Sequence, residues 1–182
     1  MRKFGVFAAT TFIAILLSGI YGIIHDQVTY TISPEYFTKL KCQQFGIDPG
    51  KFGDYRRSVA LIGFLASWWM GIFIGIMLGV TGLIFRHHKI MRKAIMNGIK
   101  VTLITTILFG FIGYLWGRFY LVQKGVEGWL PDNIVDKDHF IIVGSIHNFS
   151  YLGGIAGIFL AIIYMVRRRF FVRKKISTGT IS

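Results

Sequence analysis

The stretch Val59–Phe85, VALIGFLASWWMGIFIGIMLGVTGLIF, contains no charged residue. Arg56-Arg57 stand just before it, and Arg86-His87-His88-Lys89 follow directly. A strand has no use for so long an apolar run. A helix rising about 1.5 Å per residue needs about 20 such residues to cross roughly 30 Å of hydrocarbon. Three more segments share this character, at about Phe4–Ile24, Ile95–Gly117 and Phe140–Val166. The 53% apolar share is too high for an ordinary soluble domain of 182 residues. The expected fold is all-α and integral to a membrane: one domain, 1–182, forming a compact bundle of four transmembrane helices. Outer loops then cover 25–58 and 118–139, an inner loop covers 86–94, and 167–182 is a basic C-terminal tail.

Charge placement orients the bundle. All eight acidic residues fall on one side: Asp26, Glu35, Asp48 and Asp54 in the first outer loop, Glu127, Asp132, Asp136 and Asp138 in the second. The opposite side is purely basic, with Arg2, Lys3, Arg86, Lys89, Arg92, Lys93, Lys100, Arg167, Arg168, Arg169, Arg173, Lys174 and Lys175. A steep Lys/Arg bias in short loops directs the basic side to the cytoplasm, so both termini are expected inside. The net charge of +13 is therefore read as topogenic, with no nucleic acid partner. The 167–175 cluster also suits anionic lipid head groups, worth about 1 kcal/mol per well-placed charge. The first segment starts like a leader, but its length and the lack of an Ala-x-Ala-like site favour a retained helix.

Small residues recur at helical spacing in each span. They run Ala8, Thr11, Ala14, Ser18, Gly22 in the first and Ala60, Gly63, Ser67, Gly71, Gly75, Gly79, Gly82 in the second. The third gives Gly98, Thr102, Thr106, Gly110, Gly113, Gly117, and the fourth Gly144, His147, Ser150, Gly154, Gly157, Ala161. Lipid gives helices no hydrophobic reason to associate, so small residues serve close backbone approach. Gly71, Gly75, Gly79, Gly110, Gly113, Gly154 and Gly157 are accordingly expected at helix contacts, with Phe, Leu and Ile towards lipid. No span drawn this way contains Asp or Glu and none contains Pro, which disfavours pumps and broken-helix transporters.

In the first outer loop, Val28–Ile32 reads as extended. Ser33-Pro34-Glu35 then opens a helix, with Ser as N-cap, Pro in the first turn and an acid near the positive end. That helix runs to Phe45 and stops at Gly46, and its Phe37 and Leu40 face suits an interfacial helix or a cap on the bundle. Tyr114, Trp116, Tyr120 and Trp129 fit an aromatic belt. Cys42 is the sole cysteine, so neither an intrachain disulfide nor a thiol pair is available.

His25 continues the small stripe of the first helix and His147 lies on that of the fourth. They are the candidate metal ligands, since imidazole suits zinc, copper or haem iron. Asp26, Glu35, Tyr36, Asn148 and Tyr151 are the outer-surface candidates. His139 and His147, eight residues apart, sit about 80° apart round a helix and do not share an ion readily. His87-His88 reads as a solvated turn. No phosphate loop, His-Glu-x-x-His or nucleophile elbow occurs, and Ser58 and Ser145 have no base placed by motif, so no catalytic residue and no enzyme is expected.

The stretch His25-Asp26-Gln27-Val28-Thr29-Tyr30-Thr31-Ile32-Ser33-Pro34-Glu35-Tyr36-Phe37-Thr38-Lys39 resembles the loop after the first helix in a group of uncharacterised bacterial four-span membrane proteins. His147-Asn148-x-Ser150-Tyr151-Leu152-Gly153-Gly154 is similar to that group as well. The resemblance implies a bacterial inner membrane and carries no activity with it. The first expectation for function is a subunit, assembly or interaction protein that works through its outer loops, with other membrane subunits or a second copy as partner. The alternatives are a binder of a small ligand, metal or haem at His25/His147, or a facilitator for a small neutral solute.

Overall fold

A computed structural model describes residues 2–50, 52–126, 130–131 and 133–177, with side chains up to 170. It is all-helical. α1 is Arg2–Ile32, and a short outer helix follows as α2 (Pro34–Tyr36), a π turn at Phe37–Lys41 and α3 (Cys42–Phe45). α4 is Tyr55–Gly82 and α5 is His88–Trp116, which continues through a second π turn, Gly117–Leu121, into α6 (Val122–Lys124). α7 is Lys137–Ser177. Four of these helical stretches are long and apolar enough to cross a membrane: Arg2–Ile32, Tyr55–Gly82, His88–Lys124 and Lys137–Phe170. Large apolar side chains such as Phe12, Phe73, Ile104, Leu108, Phe111 and Phe159 point outward, as helices in lipid require.

α1 pairs with α4 and α5 with α7, and each pair is antiparallel and tight. In the first pair, a Cβ placed on Gly63 would meet the Gly22 carbonyl oxygen at 2.4 Å, so here backbone touches backbone. Further along, Gly71 lies against Ala14 and Ile15, Gly75 against Thr11, and Gly79 against the ring of Phe7. In the second pair Gly110 faces Ser150, Gly113 faces Ser145 and Ile146, and Gly157 faces Thr102. Gly154 differs, because an added Cβ there would make only ordinary contacts, with Met70 Cε at 3.4 Å and Thr106 Oγ1 at 3.8 Å, and it lines an internal cavity. The two pairs meet more sparsely than their members do. Leu78, Met91, Ile95, Ala161 and Met165 close the seam at the end that holds the α4–α5 turn.

Several boundaries differ from those read in the sequence. Val28–Ile32 is helical, not extended, and α1 runs well past Ile24. Its β-branched residues are accommodated because Thr29 and Thr31 turn their hydroxyls back onto the carbonyls of His25 (3.0 Å) and Val28 (2.6 Å). Asp26 thereby falls on the helix that carries the first span, where a loop was expected. α5 starts at His88, shortening the inner loop, since Met91 and Ala94 are buried. Residues 167–177 continue α7 where a tail was expected.

The outer helix begins as read, with Ser33 Oγ accepting from the Tyr36 N–H (3.4 Å), and ends with Gly46 in the left-handed region at φ +63°. Tyr36 and Phe37 are not surface residues; they pack with Val59, Ile134, Phe140 and Val143 over the start of α7. Trp129, Glu127 and Asp132 lie outside the described residues.

The backbone contact at Gly63 has a direct consequence. Gly63→Ala should cost about 1–3 kcal/mol of stability through overpacking. Gly5→Ala, with nothing within 4 Å of the new carbon, should cost nothing. Thermal unfolding of both variants in one detergent checks this; equal melting temperatures would remove the close-contact account of the α1–α4 pair.

Candidate functional site: a buried His–Asp–His cluster

Helical spacing places Ser18, Tyr21 and His25 on one side of α1, where they look into the bundle. On α7, His147, Ser150, Tyr151 and Gly154 look back. The two histidine rings meet edge to face with centroids 4.7 Å apart. Rings in such contact leave no slot for a haem plane between them. Between them stands Asp26, only 4% exposed. Its Oδ1 is 3.1 Å from His25 Nδ1 and 3.2 Å from His147 Nε2.

The far nitrogens are engaged too. His147 Nδ1 lies 2.9 Å from the Val143 carbonyl oxygen. The Val143 carbonyl and an ionised Asp26 both only accept, so the single N–H of a neutral His147 satisfies one of them and turns the lone pair of its other nitrogen towards the second. His25 Nε2 lies 3.2 Å from Ser150 Oγ, a group that serves as donor or acceptor. Asp26 Oδ2 is buried and has no hydrogen-bond partner among the described residues. A buried carboxylate oxygen without a partner costs free energy on the order of 1–3 kcal/mol or more, which makes it a signal of function.

The cluster is roofed by the outer helix. The Tyr36 ring stacks on His147 at 4.9 Å and Phe37 stands 6.0 Å away, while Tyr21 flanks His25 at 5.4 Å. Tyr36 is so enclosed that burial pushes its phenol well above the ordinary value. Lys41, also buried, hydrogen-bonds Gln44 at 3.1 Å and lies 5.8 Å over the Tyr36 ring. Burial lowers its pKa, and the Asp26 charge opposes that shift. Cys42 is buried beside it and burial pushes its thiol up, which keeps it in the unreactive protonated form.

Below the cluster lies a cavity of about 80 Å³. Its polar residues are Ser18, Tyr21, Ser67, Thr102, Thr106, Ser150 and Tyr151, and its apolar walls include Ala14, Met70, Ile74 and Ile99. A wider apolar groove of about 540 Å³ runs between α1 and α5. Leu17, Tyr21, His25 and Leu103 line both spaces.

Of the residues singled out in the sequence, His25, His147, Asp26 and Tyr151 come together, and Tyr36 joins them as roof rather than as surface. Asn148 is exposed and does not line the cavity. His139 stays apart, bound to Asp136 at 2.8 Å at the start of α7. Ser145 gives its hydroxyl to the Gly113 carbonyl, and Ser58 to that of Pro49, so both serve packing. The sequence reading missed Tyr21, Ser67, Ser150 and Lys41 as neighbours of the site. Tyr21, four residues before His25, and Ser150, three after His147, were within reach of helical spacing.

Glu35 serves the roof, not the cluster. Its carboxylate accepts from the backbone N–H groups of Asp136 (2.8 Å) and Val135 (3.1 Å) and pairs with Lys39 at 2.7 Å. Lys39 in turn donates to the Asn133 carbonyl. The two outer loops are thereby clasped together. No family model matches this chain, and neither a curated protein nor a solved structure matches it.

Hydrogen bonding to Lys39 first, then to the two backbone N–H groups, lowers the Glu35 carboxyl from its ordinary 4.5 to about 2. A lowered carboxyl stabilises the fold fully above its unfolded value and loses that contribution as pH falls through the folded value. Glu35→Gln should therefore lower the melting temperature above about pH 5. The gap should shrink through the acid range and close near the folded value of about 2. A gap independent of pH would refute the clasp.

Proposed function

We propose that this chain is an integral protein of a bacterial cytoplasmic membrane, with both termini inside, that holds a small membrane-borne molecule within its bundle. The orientation follows from the wholly basic loop and tail on one side and the confinement of acids to the other. Residues 33–45 then lie at the outer interface, roofing the site from the periplasmic side. The basic side faces anionic lipid at the cytoplasmic surface.

One observation carries the ligand reading. The buried, unpartnered Oδ2 belongs to an aspartate that lines a cavity whose far walls are apolar. A polar end with an orphan acceptor and an apolar body suits an uncharged amphipathic molecule whose head donates a hydrogen bond to Asp26. Binding pockets typically pair a mostly apolar lining with a few placed polar groups. The α1–α5 groove supplies a route from the bilayer, because it shares Tyr21 and His25 with the cavity. Membrane-embedded acids and histidines are costly and usually mark such sites. Ser150, His25 and Asp26 stand within hydrogen-bond reach of one another (3.2 and 3.1 Å), in the order of a hydroxyl, a base and an orienting acid, and the proposal gives them a binding role.

Attachment to another membrane subunit through the outer loops keeps one support of its own. Phe52, Tyr55 and Val135 are exposed in those loops or beside them.

Native mass spectrometry of the chain, gently extracted from its own membranes, distinguishes the two readings. The expected spectrum shows one small organic adduct per chain, at least tenfold depleted in Asp26→Asn and in Gly154→Leu, which fills the cavity. A spectrum with no adduct and a foreign subunit at fixed stoichiometry would replace the ligand reading with the partner reading.

A further inference from the structure

The geometry points to a first-row divalent transition-metal ion held by His25, Asp26 and His147. The inference uses the same cluster as the ligand reading but does not depend on the organic molecule. One ligating atom from each of the three residues can be chosen so that all lie within 4.8 Å of one another. Metal–nitrogen and metal–oxygen bonds of about 2.1 Å place two ligands of a tetrahedral ion about 3.4 Å apart, and at most about 4.2 Å apart in any geometry. The observed His25–Asp26 and His147–Asp26 separations, 3.1 and 3.2 Å, already have this size. The widest separation, at most 4.8 Å, must close by up to about 1.4 Å to reach the tetrahedral spacing, which requires the ring and carboxylate torsions to turn towards the ion.

Proton bookkeeping gives a second reason. If His147 holds its proton on Nδ1 for Val143, its Nε2 lone pair is directed at Asp26 Oδ1, which is itself an acceptor. If His25 likewise gives its Nε2 proton to Ser150, its Nδ1 lone pair converges on the same oxygen. Three lone pairs then face one point, and Asp26 Oδ2 is still unpartnered. A proton on the Nε2–Oδ1 edge relieves one of these conflicts and leaves Oδ2 unsatisfied. A divalent cation bound by the two ring nitrogens and the carboxylate turns the facing lone pairs into ligands, and its charge offsets the buried carboxylate; Oδ2 gains a partner when the carboxylate chelates the ion.

The outer contacts fit this role. Ligating histidines ordinarily donate their second ring N–H to a carbonyl or other oxygen, which fixes tautomer and ring orientation. Val143 and Ser150 occupy those positions here. Two imidazoles and one carboxylate suit zinc or iron(II) better than the hard cations calcium and magnesium. Three protein ligands leave a coordination position open, and the site borders the cavity, so a ligand's polar atom could reach the ion. The ligands come from α1 and α7, one from each tight pair, and so the ion would join the two halves.

The test uses the full chain in detergent, freed of metal by chelation and then offered cobalt(II) or zinc(II) before desalting. Expected is one ion per chain by elemental analysis, with the intense visible bands of low-coordinate cobalt. Asp26→Asn and His147→Ala should each weaken retention at least tenfold, while His87→Ala/His88→Ala keeps it. Asp26→Asn preserves volume, and size-exclusion profile and circular dichroism verify its fold. Folded wild-type chain that retains no ion overturns the inference, as does retention that survives Asp26→Asn but disappears with the His87/His88 pair. An organic adduct without metal would leave the ligand reading standing and sink this one. Metal without adduct would do the reverse.

Discussion

Backbone-to-backbone contact at Gly22 and Gly63 sets the spacing on which the rest of the bundle depends. Helices in lipid gain little from apolar contact as such, so their association relies on dispersion at short range, and only small residues permit that range. The chain concentrates this contact inside its two helix pairs. What remains between the pairs is looser, and side chains must fill it. At one end Met91, Ile95, Leu78 and Met165 do so. Towards the other end Ala14, Ser18, Ser67, Thr102 and Gly154 are too small to do so, and the cavity results. The same residue types therefore do opposite things according to which face they occupy: Gly157 admits the Thr102 backbone, whereas Gly154 leaves space.

That division explains how much could be read from the sequence. Four apolar helices, the N-cap at Ser33, the stop at Gly46 and the packing glycines follow from local rules that hold whatever the tertiary arrangement. The fate of Val28–Ile32 does not. Five residues rich in Val, Thr and Ile carry a β preference, and the preference gives way because Asp26 and Thr29 are drawn into the bundle on the inward face of α1. Reading that stretch as extended placed Asp26 in a loop, and a loop aspartate needs no explanation. The acid's position on the helix was thus hidden by a one-element error. Likewise the stripe Gly144, His147, Ser150, Gly154 is visible in the sequence as a face, but nothing in it says that this face meets Tyr21 and His25 rather than lipid.

The cluster also explains why the outer helix is anchored as firmly as it is. Tyr36 and Phe37 cover His147 and shield its contact with Asp26 from water, which would otherwise screen it. Covering it requires that residues 34–45 stay in place over α7. The clasp of Glu35 to the Val135 and Asp136 amides, with Lys39 reaching the same strap, supplies that fixation from the second loop. The π turn at Phe37–Lys41 belongs to the same arrangement, because Phe37 and Lys41, the first and last residues of this wider turn, are both buried.

A buried carboxylate is kept only where something compensates it, and here the compensation is incomplete. One oxygen has two imidazole neighbours, the other has none, and the nearby ammonium of Lys41 is itself in a poorly solvated position. Packing alone would favour an apolar residue at position 26, since replacing buried ionic groups with apolar ones of similar size often stabilises a protein. Gly22 and Gly63 already hold α1 against α4 without it. The hairpins therefore do not need Asp26 for their assembly. Its burial is accounted for if position 26 belongs to a binding site, as proposed, in which the partner of Oδ2 comes from outside the chain.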